Sequence, residues 1–147
     1  MRFLLVLIIT LLFTGCASTE KYVADNRLSE TNSSTVYIYR TDLAYRSLDP
    51  EKPFFFLDGK LVGKLGTGEF VRFLVSSGNH SVSSKESFLF TPSSESGNVK
   101  GEFESGKTYY FRYSKDFARM SGTGAGFVMS DTSSLKPATN QNFVDKS

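Results

Sequence analysis

The chain has 147 residues, 17 Lys plus Arg against 15 Asp plus Glu, one Cys, one His and no Trp. That length holds one domain with tails, and a net charge of +2 gives no clustered basic face of the kind a nucleic-acid partner needs. A single Cys excludes an intramolecular disulfide framework and a multi-Cys zinc site, and a single His leaves little for triad or His-based metal chemistry.

Apolar residues crowd the N-terminus. After Met1-Arg2, the run Phe3 to Phe13 is broken only by Thr10. A helix over that run spans about 16 Å at 1.5 Å per residue. A bilayer crossing needs roughly 20 residues, so the segment reads as a secretory signal and not as a span. It ends in Leu12-Phe13-Thr14-Gly15-Cys16-Ala17. This resembles the lipobox of bacterial lipoproteins: Leu, a small residue, Gly or Ala, then Cys. Phe13 stands where Leu is commonest. The resemblance implies cleavage between Gly15 and Cys16 and diacylglyceryl transfer to the Cys16 thiol. It also implies the outer membrane as destination, because Ala17 is not the Asp that retains lipoproteins at the inner membrane. More than one acyl chain on Cys16 makes a stable anchor, where one chain would hold only marginally.

Residues 16–34 are polar and without periodicity, which predicts a lipidated N-terminus and flexible tether, with a short helical turn near Tyr22 to Leu28. From Thr35 the pattern changes to period 2 with β-branched and aromatic residues. Val36 and Ile38 alternate with Tyr37 and Tyr39, giving one buried and one aromatic face. Phe54 to Leu57 and Lys60 to Leu65 flank Asp58-Gly59, a hairpin signal because a type I′ turn needs positive φ at both central residues. Val71, Phe73 and Val75 alternate with Phe70, Arg72 and Leu74. A turn at Ser76 to Asn79 leads into a strand from His80 to Phe90. Val99, Gly101 and Phe103 alternate with Lys100, Glu102 and Glu104, so one face there meets water. Thr108 to Ser114 puts Tyr109, Phe111 and Tyr113 on one face. A last strand is predicted over Phe127 to Ser130, followed by a polar tail over residues 132–147 with a turn at Asn142 to Lys146.

Seven to eight short strands, frequent turns and no clear amphipathic helix predict an all-β antiparallel β-sandwich over residues 35–131. Parallel α/β architecture is excluded by the short connections.

Several strings occur in a recognisable order: Thr35 to Arg40, Phe56-Leu-Asp-Gly-Lys-Leu-Val-Gly63, Phe70 to Phe73, Ser77-Gly-Asn-His80 and Gly106-Lys-Thr-Tyr-Tyr-Phe-Arg112. Together they resemble the bacterial lipoproteins of domain-of-unknown-function family 2846, over about residues 32 to 131. Ser77 stands where that pattern has Pro. The Asp-Gly hairpin followed by a Gly-x-His turn is also similar to the small β-sandwich domains named for a Pro-Glu-Gly-Ala motif. Both resemblances imply a β-sandwich and no assigned activity.

Candidate chemistry is sparse. His80 has no Cys or His partner at ligand spacing, so it reads as a structural residue bonding nearby backbone after its turn. Gly122-Thr-Gly-Ala-Gly126 lacks the Lys and Ser or Thr of a phosphate loop. Asp49, Glu51, Asp58 and Glu69 lie near turns, with no sign of the cleft a carboxylate pair needs. No catalytic residue, metal or cofactor is expected, and the chain is not read as an enzyme. The best binding candidates are an exposed platform including Tyr37 and Tyr39, which could stack on sugar rings, and the long Arg40 to Pro53 connection with Tyr45 and Arg46. The expected partners are the membrane, through acyl chains on Cys16, and an envelope protein or glycan.

Overall fold

The computed structural model describes residues 19–41, 52–123 and 126–146, and side chains at 19–41, 52–115 and 133–145. The strands are β1 (Ser33–Arg40), β2 (Phe54–Leu57), β3 (Lys60–Lys64), β4 (Phe70–Ser76), β5 (Gly78–Phe88), β6 (Thr91–Phe103), β7 (Thr108–Thr123) and β8 (Gly126–Ala138), followed by helix α1 (Asn140–Lys146). They form two four-stranded sheets in the orders β4-β1-β7-β8 and β3-β2-β5-β6. The chain shuttles between them: β1, then the β2–β3 hairpin opposite, back for β4, across for β5–β6, and back for β7–β8. The expected all-β sandwich of eight strands is present.

Alternation supplies the core. Val36 and Ile38 of β1, Phe55 and Leu57 of β2, Val75, Val82, Phe103, Phe111, Tyr113 and Leu135 are buried between the sheets. Each such Val, Leu, Ile or Phe contributes roughly 1.5–3 kcal/mol by leaving water. Val71 and Phe73 pack against them, as do Val99 and Tyr109. The faces read from period 2 on these strands are therefore the faces observed. At the Asp58-Gly59 hairpin both central residues have positive φ, 49° and 81°, as the type I′ geometry demands.

One pairing departs from expectation. β1 and β7 run parallel, in register from Thr35–Thr108 to Arg40–Tyr113; the other ladders between these strands are antiparallel. The excursions through the opposite sheet bring β7 in from the same end as β1. A parallel pair needs such a long connection, but it need not be helical.

The C-terminal boundary also differs. Residues 132–138, expected as tail, continue β8, which pairs with β7 from Tyr110–Ala138 to Thr123–Gly126. Backbone pairing satisfies these residues without an apolar alternation, so the Ser- and Thr-rich run hid a strand. Leu135 anchors it in the core. At this side the sheets approach closely: a Cβ on Gly97 of β6 would lie 2.7 Å from the Leu135 backbone nitrogen.

The polar N-terminal stretch is docked where it is described. Lys21 forms a parallel bridge with Leu61, Leu61 N–H donates to Glu20 O at 2.7 Å, and Tyr22 N–H donates to Leu61 O at 2.8 Å. The Tyr22 hydroxyl donates to Leu74 O at 2.6 Å, and its ring meets Phe73 edge-on. Tyr22 thus closes the gap between the β3 and β4 edges. In place of the expected helical turn there is one β-turn, Leu28 N–H to Asp25 O, clamped by the Asp25 carboxylate on Arg27. The unpaired edge of β3 is what recruits this segment.

Candidate functional site

The outer face of the β4-β1-β7-β8 sheet carries the aromatic cluster. Period 2 puts Tyr37 and Tyr39 there, and registers place Arg72 and Phe70 beside them on β4 and Tyr110 and Arg112 on β7. Tyr37 and Tyr110 stack at 5.2 Å, nearly parallel. The platform is not open, however. Phe143 of α1 lies over it, with centroid distances of 5.2 Å to Tyr37, 5.3 Å to Tyr39, 5.4 Å to Phe70 and 5.5 Å to Tyr110. Tyr39, expected at a solvent face, is fully buried. Its hydroxyl has no hydrogen-bond partner among the described residues, and burial pushes its pKa upward.

Helix α1 is set by its first turn. Asn142 N–H donates to the Thr139 hydroxyl at 3.2 Å, and Thr139 N–H donates to Asn142 Oδ1 at 3.4 Å. This is the reciprocal logic of a capping box. Seven residues are too few for a helix to hold itself in water, so Phe143 on the aromatic face is what fixes it. Phe143 is a lone aromatic in a polar tail, and that was the only signal in the sequence for its role.

His80 and Asp58 meet at the other sheet. The His80 Nδ1 lies 2.6 Å from Asp58 Oδ2, Nε2 lies 2.9 Å from Ser76 O, and Ser81 N–H donates to Asp58 Oδ1 at 2.8 Å. The ring therefore does what its position after the turn suggests: it ties the β2–β3 turn to β5 and to the end of β4. Asp58, His80 and Ser81 border a shallow hollow of about 310 Å³ with Asn79, Lys100 and Gly101. Among the described residues no three His, Cys, Asp or Glu side chains group as metal ligands. Glu69 is likewise occupied: it accepts from Gly66 N–H at 2.6 Å and pairs with Lys52. Those contacts, the Gly66 bond foremost, hold its carboxyl below the usual range.

A second hollow, about 320 Å³ and mainly apolar, opens between the sheets where β6 and β8 diverge. Phe103, Tyr109 and Phe111 line it beneath Pro137. Arg40, the last residue of the β1 motif, is buried, with its guanidinium 5.9 Å from the Tyr113 ring centroid. The Tyr113 hydroxyl donates to Glu86 at 2.6 Å. Burial first, then the Glu86 bond and charge, push its pKa well up.

The sequence also missed the turn joining β5 to β6. Phe88, Leu89 and Phe90 are all exposed there, where a continuous strand to Phe90 was expected. Three consecutive large apolar residues after a Ser-rich alternation marked the place. Gly15, Cys16, Tyr45, Arg46, Asp49 and Glu51 lie outside the described residues.

A family model described as "Protein of unknown function (DUF2846)" matches residues 30–126. That stretch runs from just before β1 to the start of β8. No curated protein and no solved structure matches the chain.

Proposed function

From the premise that the chain belongs to the DUF2846 family of proteins of unknown function, we propose that it is a lipid-anchored lipoprotein of the cell envelope. Its β-sandwich serves as a binding or structural module and not as a catalyst. One junction carries this reading. An apolar run with Thr14 and Gly15 before the lone Cys16 is followed within four residues by Glu20 to Tyr22, which bond to the β3 edge. An acyl group on Cys16 would therefore sit close to a folded domain. The non-catalytic part is supported by what the polar candidates already do: His80, Asp58 and Glu69 each hold a turn. Ala17 favours the outer membrane.

Labelling cells with a palmitate analogue tests the anchor. Wild type is expected to label and Cys16→Ala is not; equal labelling of the two would remove the proposal. The glycan reading through Tyr37 and Tyr39 has less support, because Tyr39 is buried and Phe143 covers Tyr37.

A further inference from the structure

Phe88, Leu89 and Phe90 at the β5–β6 tip are 66%, 77% and 84% exposed. Leu89 and Phe90 have φ of 47° and 67°, the left-handed region that a bulky side chain adopts only under strain. Asn or Gly would fill a two-residue hairpin turn with less strain. The chain instead keeps three large apolar side chains in water at a protruding turn, with no charged residue from Ser87 to Ser94. Backbone carbonyls behind the tip are satisfied internally: Thr91 Oγ1 donates to Phe88 O at 2.7 Å, and Ser93 Oγ donates to Glu86 O at 3.1 Å. Such a turn enters a low-dielectric layer at a reduced desolvation cost.

Charges collect behind it. Phe54 pairs with Lys85 on one side and Lys64 on the other. The Lys64 and Lys85 ammonium groups lie over the rings of Phe54 and Phe56 and pair with no acid among the described residues. Lys52 and Lys115 at this end are matched by Glu69 and Glu86. Glu95 stands across the ladder from Lys85 and accepts from Asn98.

We propose that this tip inserts into the headgroup–acyl boundary of the bilayer that holds Cys16, as a second membrane contact of the domain. The inference rests on the lipid-anchored reading, and the tether length selects the occupant. Glu20 stands four positions after Cys16, a reach of at most about 14 Å. Glu20 and Tyr22 are pinned to Leu61, which is level with Ser83 through Phe56. Ser83 to Leu89 along β5 spans roughly 20 Å. The tether therefore keeps the domain against the bilayer. Because Lys21 runs parallel to β3, the chain enters Glu20 from the end of that strand remote from the tip, so the tip reaches the same surface with the strands lying along the bilayer or with the tether folded back toward it. Phe and Leu side chains at that depth are as expected for an interfacial anchor.

The absence of Trp makes the test direct. The acylated full-length protein carrying Phe90→Trp is purified from membranes and reconstituted into phosphatidylcholine–phosphatidylglycerol vesicles. Val144→Trp, at an exposed position of α1, serves as comparison, and Phe88→Trp repeats the measurement. Emission from Trp at 88 and 90 is expected to be blue-shifted and quenched several-fold more strongly by lipids brominated near the headgroup than emission from position 144. Water-like emission at both tip positions, in protein that still floats with the vesicles, overturns the tip proposal and leaves the anchor standing. Failure to float overturns the anchored reading and this inference with it. A photo-cross-linker at position 90 that captures a protein in cells instead of lipid assigns the tip to a protein pocket and also overturns it.

Discussion

Tyr39 shows how a single side chain can be placed by its strand and misjudged by its surroundings. Alternation correctly puts it on the outer face of β1, but α1 covers it there, and its hydroxyl is left without a partner among the described residues. An unsatisfied buried hydroxyl is a net cost. Tyr39→Phe is therefore expected to raise stability by about 1 kcal/mol, read as a higher denaturation midpoint with unchanged slope. Tyr113 is the opposite case, a buried phenol with a strong acceptor. Its pKa is raised in the folded state, so an unfolded chain sheds this proton first. The stabilisation is complete below about pH 10, the ordinary tyrosine value, and declines as pH rises past it. Tyr22 and Tyr39 are shifted in the same direction and add to the slope. Denaturation midpoints measured across that range are expected to fall with pH in wild type and to fall less steeply in Tyr113→Phe. That variant also starts lower by about 1–3 kcal/mol through the lost Glu86 bond.

At the level of elements, strands with an apolar face were legible and strands without one were not. Val36, Ile38, Val71, Phe73, Phe111 and Tyr113 announced β1, β4 and β7 through period 2. Residues 132–138 announced nothing, because their place in β8 is secured by the β7 ladder and one buried Leu135. Helix α1 was foreshadowed only as a turn. Its stability depends on Phe143 more than on its propensity, since so short a helix is marginal alone. Phe143→Ala is expected to lower stability by about 1–3 kcal/mol, less than a fully buried Phe. It should also release α1 and uncover the Tyr37–Tyr110 stack. Amide exchange over residues 140–146 would rise toward that of an unfolded segment; unchanged protection there would show that the ring does not hold the helix. The candidate platform was thus visible as residues, while its cover was invisible because it comes from a segment distant in sequence.

For the whole molecule, the sandwich was readable from local patterns, but the path joining strands across the sheets was not. Register between distant strands leaves no local mark. β1 lies inside its sheet, flanked by β4 and by β7, and its registers span Ser33–Tyr39 with β4 and Thr35–Arg40 with β7. A chain ending before Thr108 lacks β7 and β8, with Phe111, Tyr113 and Leu135 from the core. It is expected to show no cooperative unfolding transition by circular dichroism.

The parallel β1–β7 pair has a consequence for timing. The earliest strand cannot finish its pairing until the last third of the chain has arrived, and contacts so far apart in sequence form slowly. A chain passing through a membrane pore from its N-terminus would remain unfolded for nearly its whole transit. Such a topology would keep a chain in transit threadable until its passage is almost complete, with the sandwich closing only afterwards.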